Sequence, residues 1–322
     1  MKIRGLRIEP AVFAAPMAGI TDSPFRRTLR RLGCPAVFTE MLSAEGLTRG
    51  NRRSLDMLRH DAEEHPIFAQ LFGARPEALA ESARLCAEAG FDGLDVNMGC
   101  PVPKVVRSGA GAALMREPLR AEAVVRAVRA AVELPLGVKL RAGWSAGERN
   151  AVELAERLAG AGADLVCLHP RTRSQLYSGR ADWSLIGRCA RAVDVPVIGN
   201  GDLFEPADAA RMRDSTGCAG VMVGRGLLGN PWLAAAMADP DLDYPPSCAE
   251  RLRVFCTHLD DMIAFLGSEA PAVLRMRKHL AWYGQGLAGI AELRRRLHTF
   301  ETAADMKSAM QSLTRSKETA RP

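Results

Sequence analysis

A cysteine lies in the middle of the segment that is richest in reactive groups, residues 97–104. That segment reads Asn97, Met98, Gly99, Cys100, Pro101, Val102, Pro103 and Lys104. A thiol acts as an acid or as a nucleophile depending on its pKa. An arbitrary cysteine at a strand end is more often buried and inert. Here two prolines fix the backbone after Cys100 and Lys104 adds a positive charge nearby, so we expect the thiol to face a pocket.

The elements that position this cysteine follow one repeated theme over the first 230 residues, a short apolar run followed by a loop and an amphipathic segment. Strands are predicted at 13–16, 37–41, 67–71, 93–97, 137–140, 165–169, 195–199 and 220–223, and helices at 23–32, 76–89, 119–132, 151–161, 183–192 and 207–213. Alternating β and α units imply a parallel sheet, and eight of them match an α/β fold of the (β/α)8 TIM-barrel type. The competing arrangement is a doubly wound open sheet. We favour the barrel because polar residues end nearly every strand, and a barrel gathers all eight ends at one mouth.

The pattern changes at about Ser247, after which no strand is predicted. Helical spacing connects Leu252, Phe255, Leu259 and Ile263, then Leu274, Trp282 and Leu287, and segments 294–300 and 303–313 also read as helices. The sequence therefore predicts a barrel domain at 1–240 and an all-helical domain at 247–322. We expect the polar end, from about Thr314, to be frayed.

Charge is concentrated in the predicted helical domain. The chain of 322 residues carries a net charge of +6, and residues 247–322 contribute +4 of it. A basic surface favours an anionic partner, usually nucleic acid, although an ordinary solvated helix surface would also account for it.

Several classes of protein are disfavoured by the composition. The eight cysteines form no C-x-x-C pair, so we expect neither a zinc site nor an iron–sulfur cluster. The short apolar run at 11–15 lies between Pro10 and Pro16, which leaves it too short for a signal peptide. Without an apolar run of about 20 residues we expect no membrane span. The predicted location is cytoplasmic, and the default oligomeric state is a monomer.

The predicted strand ends carry a mixture of amides, cations, a histidine and small residues. The residues concerned are Pro16, Met17, Ala18, Gln70, Lys139, Arg141, His169, Arg171, Asn200, Gly201, Asp202, Gly224 and Arg225. Glycines in the last two loops allow close approach of an anion, and Arg225 can add a bidentate contact. Lys139 could stabilise charge on a reduced flavin, or it could form a buried ion pair. The whole set suits a planar, phosphate-bearing cofactor.

A dinucleotide-binding pattern is also present, but it lies at the end of the βα series rather than at its start. Residues 224–229 fit G-x-G-x-x-G, the dinucleotide fingerprint. That fingerprint should open a βαβ run, whereas here it closes one, so we disfavour a Rossmann domain.

Taken in order along the chain, these segments resemble the tRNA-dihydrouridine synthases. The resemblance is carried by A-P-M-A-G-I-T-D at 15–22, N-M-G-C-P at 97–101, K-L-R-A-G-W at 139–144, H-P-R-T-R at 169–173, N-G-D at 200–202, G-R-G at 224–226 and R-M-R-K-H-L-A-W-Y at 275–283. The opening motif and the last one are most like the bacterial B-type enzymes, and residues 108–113 are more like the C-type.

The resemblance implies an FMN enzyme that uses NADPH to reduce uridines in the D-loop of tRNA to 5,6-dihydrouridine. Carried over by motif, the residues that would hold FMN are Pro16, Met17, Ala18, Gln70, Lys139, His169, Asn200, Gly201, Asp202, Gly224 and Arg225. Cys100 would donate a proton to C5 of the base while C6 receives the hydride. Asn97 and Arg141 would contact the substrate, and Arg171 would help to neutralise charge.

A basic face on the second C-terminal helix would contact the tRNA backbone. Arg275, Lys278, His279 and Trp282 have i, i+3, i+4 and i+7 spacing, so they are predicted to share one face. The target base would have to be flipped out of the folded tRNA. A solvated stripe with a core tryptophan is the plainer interpretation of the same spacing.

Two functions of other classes remain open at this point. The first is a flavin barrel oxidoreductase that acts on a small pyrimidine, similar to dihydroorotate dehydrogenase, which the basic helical region disfavours. The second is a non-catalytic RNA-binding protein on a barrel scaffold, which Cys100 and the full set of cofactor positions disfavour.

Overall fold

Eight parallel strands form a barrel in the computed structural model, which describes residues 1–318. The barrel strands are β3 (Val12–Ala14), β4 (Val37–Ser43), β5 (Ile67–Phe72), β6 (Gly93–Met98), β7 (Leu136–Arg141), β8 (Leu165–His169), β9 (Val197–Asn200) and β10 (Gly220–Val223). From β4 to β10 each strand pairs with the next along the chain, and β10 pairs with β3. A parallel bridge between Phe13 and Ala36 joins β3 to β4 and closes the ring. The doubly wound alternative is thereby excluded.

Helices cover the outside of the barrel. They are α1 (Ser23–Arg31), α2 (Ala44–Thr48), α3 (Arg52–Asp56), α4 (Pro76–Glu88), α5 (Pro103–Arg107), α6 (Pro118–Ala131), α7 (Ala151–Gly160), α8 (Trp183–Ala192), α9 (Ala207–Thr216) and α10 (Leu233–Ala238). Prolines open α1, α4, α5 and α6, where a missing N–H costs no hydrogen bond. The side chains that alternate outward on the strands pack against these helices in the main core.

The inward side chains change character along the barrel axis. Toward the amino ends of the strands, the rings of Phe13, Phe38 and Phe68 stack and form edge contacts, with centroids 4.9–6.2 Å apart. A short antiparallel hairpin of β1 (Lys2–Ile3) and β2 (Leu6–Arg7) adds to this lumen core. Toward the carboxyl ends the inward residues are polar. This gradient closes one end of the barrel and leaves the other end available for chemistry.

Four helices form a separate region after the barrel. They are α11 (Cys248–Leu266), α12 (Glu269–Tyr283), α13 (Ile290–Arg296) and α14 (Ala303–Glu318). Ser247 caps α11, and Gly267 ends it in the left-handed conformation. These helices enclose their own apolar core, and α11 packs on α1 of the barrel. No helix among residues 1–318 is long and apolar enough to cross a membrane.

Some predicted boundaries are wrong. The strand predicted from residue 195 begins at Val197, and α12 ends at Tyr283, so Leu287 lies beyond it. The helix predicted at 294–300 begins earlier, at Ile290, and its last turn is a 3-10 helix. Thr314 is buried within α14, so fraying does not begin there. The remainder of that prediction, and the predicted domain end at 322, lie outside the described residues.

Candidate active site

A cavity of about 560 Å³ opens at the carboxyl ends of the barrel strands. Its lining includes Pro16, Met17, Ala18, Asn97, Cys100, Lys139, Arg141, His169, Asn200, Gly201, Asp202, Gly224 and Arg225. Thirteen of the predicted site residues therefore meet in one place, although they come from six different segments of the sequence. Their convergence is the consequence of barrel closure, which brings every strand end to a single mouth.

The Cys100 loop follows β6 and is held from two sides. The side-chain oxygen of Asn97 accepts hydrogen bonds from the backbone N–H groups of Gly99 and Cys100, at 3.2 and 2.9 Å. The Cys100 carbonyl in turn accepts from the N–H of Ala112. Gly111 packs against this carbonyl with φ of +62°, and a Cβ there would lie 2.8 Å from the Cys100 oxygen. The thiol thus sits on a fixed backbone.

Cys100 is suited to act as an acid. Its residue is 8% exposed, and burial raises the pKa of the thiol above its usual value. The Val102 N–H and the Arg141 guanidinium oppose the shift without reversing it. The neutral, protonated thiol is therefore the form present at neutral pH.

Lys139 places an ammonium group inside the cavity. Its Nζ donates to the side-chain oxygen of Asn200 at 2.9 Å, and the Asn200 amide donates to the Met222 carbonyl at 2.7 Å. Of the two alternatives left open by the sequence, a buried ion pair is not supported, because the hydrogen-bond partner of Lys139 is a neutral amide. Its positive charge is therefore available to an electron-rich group in the cavity.

His169 is neutral at every working pH. Burial and the nearby cations lower the pKa of its imidazole to about 2, and those cations are Lys139, Arg141, Arg171 and Arg225. Its ring lies against Gly201, where φ is +119° and a Cβ would approach the ring carbon to 2.8 Å. A glycine is needed at 201 because of this backbone conformation and because the histidine ring leaves no room for a side chain.

Arg171 does not line the cavity, so its position does not support the prediction that it neutralises charge on the substrate. The side chain is buried, and it donates to both carboxylate oxygens of Asp202 at 2.8 Å. Its remaining donors reach the carbonyls of Ser178 and Gly179. With its donors used inside the protein, Arg171 fixes Asp202, which also accepts from Arg225 at 3.2 Å.

Gln70 also lies away from the cavity lining. It is completely buried one layer below, where its amide joins Asp95 and Asn97. Its prediction as a cofactor contact thus has no support from its position.

The rim of the cavity contains residues that the sequence did not single out. Tyr177 and Phe204 are about half exposed, and the Arg225 guanidinium lies 4.8 Å and 5.8 Å from their ring centroids. The Arg141 guanidinium also approaches Tyr177, at 5.5 Å from the ring centroid. For Tyr177 the only sequence signal was its position as an aromatic residue in a polar loop shortly after His169.

Of the three substrate contacts predicted on α12, two lie at the surface and one is buried. Arg275 is half exposed and lies 3.8 Å from Asp22, and Lys278 donates to the Gly19 carbonyl at the cavity rim. His279 is 2% exposed between Phe25, His258 and Trp282, and burial lowers its pKa well below the usual value. The prediction of His279 as part of an exposed basic face is therefore wrong. Helical spacing placed it beside Lys278 but did not reveal the barrel helix packed on that side.

Comparison with known proteins identifies the family. The family model for dihydrouridine synthase matches residues 13–318. The chain belongs to the dihydrouridine synthase family. A probable tRNA-dihydrouridine synthase of Rhodobacter capsulatus is 40% identical over 96% of this chain and 97% of its own length. Probable tRNA-dihydrouridine synthase 1 of Synechocystis sp. is 39% identical over 96% of this chain and 88% of its own.

Other comparisons address the type and the fold. tRNA-dihydrouridine synthase B of Xanthomonas campestris is 38% identical over 94% of this chain and 92% of its own. An old yellow enzyme homologue from Zymomonas mobilis superimposes with a TM-score of 0.55 at 14% identity, over 75% of this chain and 92% of that one. A 2-naphthoyl-CoA reductase complex superimposes with a TM-score of 0.59 at 12% identity, over 74% of this chain and 51% of that one. The resemblance found in the sequence and the predicted barrel are both confirmed.

Proposed function

We propose that this member of the dihydrouridine synthase family reduces uridines in the D-loop of tRNA to 5,6-dihydrouridine, using FMN and NADPH and acting as a monomer. The observation that carries the proposal is the Cys100 thiol, which burial keeps protonated at the edge of the barrel cavity. The names of the relatives, tRNA-dihydrouridine synthases of several bacteria, support the choice of substrate.

The cavity residues fit FMN in size and in chemistry. A volume of about 560 Å³ lies within the range of small-molecule sites, roughly 300–1,000 Å³. Gly201 and Gly224 let a phosphate approach the backbone, where Arg225 adds a positive charge. Pro16, Met17, Ala18, Lys139, His169, Asn200 and Asp202 complete the proposed cofactor contacts.

The chemistry divides between cofactor and protein. FMN, when bound, would supply a hydride to C6 of the uracil ring. Cys100 would donate its proton to C5, which needs an acid that is neutral before the reaction. Asn97 and Arg141 line the same cavity and would orient the base.

The two parts of the chain would divide the work of binding. We assign the barrel, residues 1–240, to FMN and catalysis, and the helical region, 247–322, to tRNA. Arg275 and Lys278 remain the proposed phosphate contacts, because both side chains lie on the surface of α12 that borders the cavity rim. Such contacts would assist flipping of the target base toward Cys100.

An anaerobic titration tests the proposal. The purified protein should bind FMN, lose its yellow colour with NADPH, and recover it when tRNA lacking dihydrouridine is added. We expect Cys100→Ala to bleach normally but to slow the tRNA-dependent recovery by about 10²- to 10⁴-fold, the usual contribution of a general acid. Fully modified tRNA should give no recovery.

Two results would contradict the proposal. Recovery with a free pyrimidine but not with tRNA would favour a small-molecule oxidoreductase. Unchanged recovery in Cys100→Ala would remove the thiol from the reaction. The matched control is Cys167→Ala, because Cys167 is buried within the lumen core and does not line the cavity.

A further inference from the structure

A buried carboxyl group lies below the Cys100 loop inside the barrel. Asp95 is two residues before Asn97 on β6, so both side chains lie on the inner face of the strand. Asp95 is completely buried, and its Oδ2 accepts a hydrogen bond from the Gln70 amide at 2.6 Å. Its Oδ1 has no hydrogen-bond partner among residues 1–318. A carboxyl group kept under such conditions calls for a reason, because burial of an unpaired oxygen is costly.

Hydrogen bonds connect this carboxyl group to the backbone of Cys100. The Gln70 carbonyl oxygen accepts from the Asn97 amide at 2.9 Å. The Asn97 oxygen then accepts from the N–H groups of Gly99 and Cys100. We call the side chains of Asp95, Gln70 and Asn97 the relay.

The direction of every bond in the relay is fixed at its two ends. The backbone N–H groups can only donate, so Asn97 must turn its oxygen toward Cys100 and its NH2 toward Gln70. Gln70 must then offer its oxygen to Asn97 and its NH2 to Asp95. Without an acceptor at 95, Gln70 keeps a buried, unpaired donor or turns over. If it turns over, two NH2 groups face each other and Asn97 is driven away from Cys100.

We propose that Asp95 is a positioning residue that holds the Cys100 loop in place through Gln70 and Asn97. The inference rests on the proposed function, in which Cys100 is the acid, and it adds a residue that does not line the cavity. Burial raises the pKa of Asp95 to about 7, while Lys139 and the Gln70 amide act in the opposite direction. A proton carried on the unpartnered Oδ1 leaves Oδ2 free to accept, so the relay operates in both protonation states.

Two glycines, one on β6 and one on β7, provide the space for the relay. Gly137 lies beside Asp95 on β7, and a Cβ there would lie 2.9 Å from Oδ1. Gly93 lies one layer below, where a Cβ would collide with the Phe68 ring. Small residues on both sides therefore leave room for the carboxyl group above the aromatic layer.

Thiol alkylation of the full-length protein tests the relay without relying on turnover. The rate of reaction of Cys100 with iodoacetamide is measured by peptide mass spectrometry, with the partly exposed Cys248 and Cys256 as internal references. We expect Asp95→Leu to raise the Cys100 rate at least about fivefold, equivalent to ~1 kcal/mol for a lost hydrogen bond that anchors the loop. Asp95→Asn keeps an acceptor oxygen while losing the charge, so its rate should stay within about twofold of the parent.

Three further variants sharpen the test. Asn97→Ala should raise the Cys100 rate as much as Asp95→Leu, and the double variant should add nothing, because both act on one relay. Asp164→Leu removes a carboxylate that holds the Leu136 N–H and the side chains of Arg4 and Arg129, and it should leave the Cys100 rate unchanged. If Asp95→Leu fails to fold, Gln70→Met breaks the relay at its middle and must give the same rise.

The inference is overturned if Cys100 reacts at the parental rate in Asp95→Leu, or if Asp95→Asn raises the rate equally. The two proposals fail separately. Full activity of Cys100→Ala would remove the acid but leave the alkylation pattern intact, whereas parental alkylation in Asp95→Leu would remove only the relay.

Discussion

At the scale of single residues, the chemistry of the site depends on which charged groups face the cavity and which are used in contacts within the protein. The cationic side chains of Lys139 and Arg225 line the cavity, whereas Arg171 donates its hydrogen bonds to Asp202 and to backbone carbonyls. His169 is neutral because four cations surround it in a buried position. The cavity therefore combines a neutral acid, Cys100, with fixed positive charge, a combination suited to a reaction that builds an anion and then protonates it.

Gly111 offers a direct test of how tightly the Cys100 loop is packed. Both Gly111 and Gly217 have positive φ, +62° and +71°, so an alanine at either position strains the backbone. Only at 111 would the new Cβ also meet the Cys100 carbonyl. We expect Gly111→Ala to lower the free energy of unfolding by about 1–3 kcal/mol more than Gly217→Ala, as for overpacking elsewhere. Urea denaturation measures the difference, and equal losses would show that the loop yields.

Residue type and strand position predicted most of the site but not the orientation of its side chains. Cys100, Lys139 and Asn200 were predicted because polar residues at the ends of barrel strands must meet at the mouth. Arg171 follows the end of β8 and Gln70 lies near the end of β5, and yet neither lines the cavity. Whether a side chain faces the cavity depends on partners far away in sequence, such as Asp202 for Arg171, and no local pattern contains them.

At the scale of elements, the loop from β3 to α1 links the helical region to the cavity. Met17, Ala18 and Ile20 line the cavity, and Gly19 lies between them with φ of +73°. Its N–H donates to the Glu40 carboxylate, and its carbonyl accepts from the Lys278 ammonium on α12. One residue of the loop is thus held by a barrel strand and by a C-terminal helix.

Loss of the Lys278 contact should therefore weaken binding of a ligand in the cavity. We expect Lys278→Met to weaken binding of FMN, the proposed cofactor, by about fivefold, because one hydrogen bond to the loop is worth ~1 kcal/mol. Arg277→Met is the matched control, since Arg277 lies on the same helix but donates to the Phe300 carbonyl within the helical region. The fluorescence of released FMN measures both dissociation constants. Equal values for the two variants would mean that Lys278 does not support the loop.

The elements themselves differ in how well the sequence predicted them. The spans of β8, β10 and α8 match the prediction at both ends, because a strict pattern of apolar residues and clear turns bounds each one. The hairpin of β1 and β2 and the short helices α2, α3, α5 and α10 were not predicted. The missed helices have five or six residues, which is less than two turns and too short to show a helical period. The hairpin strands have two residues each, so their pairing rather than a sequence pattern defines them.

At the scale of the whole molecule, two imidazoles lie where the helical region meets the barrel. His258 on α11 stacks on Phe25 of α1 with centroids 5.6 Å apart, and His279 on α12 lies 4.8 Å from His258. Ion pairs of Arg27 and Arg31 with Asp261 flank this contact. The junction is therefore apolar and aromatic at its centre and charged at its edge, which suits neutral imidazoles only.

The histidines of this junction should make stability depend on pH. Burial lowers the pKa of His258 to about 3, whereas an unfolded histidine titrates near 6.5. Between these values the unfolded state binds the extra proton, so the contribution of His258 is complete above about pH 6.5 and falls by ~1.4 kcal/mol per pH unit below it. We expect His258→Phe to lose less stability than the parent on going from pH 6.5 to 5, when both are measured by urea denaturation.

Comparison between variants is essential, because other buried groups titrate in the opposite sense. Burial raises the pKa of Asp22 to about 6 and that of Asp95 to about 7, so both stabilise the fold as the pH falls toward 4. These effects are common to the parent and to His258→Phe, and they cancel in the difference. The exposed His298 supplies the control, since His298→Gln removes an imidazole that folding leaves in water. A parental pH slope in His258→Phe would show that the junction admits a charged imidazole, and that the helical region is held to the barrel less tightly than its packing implies.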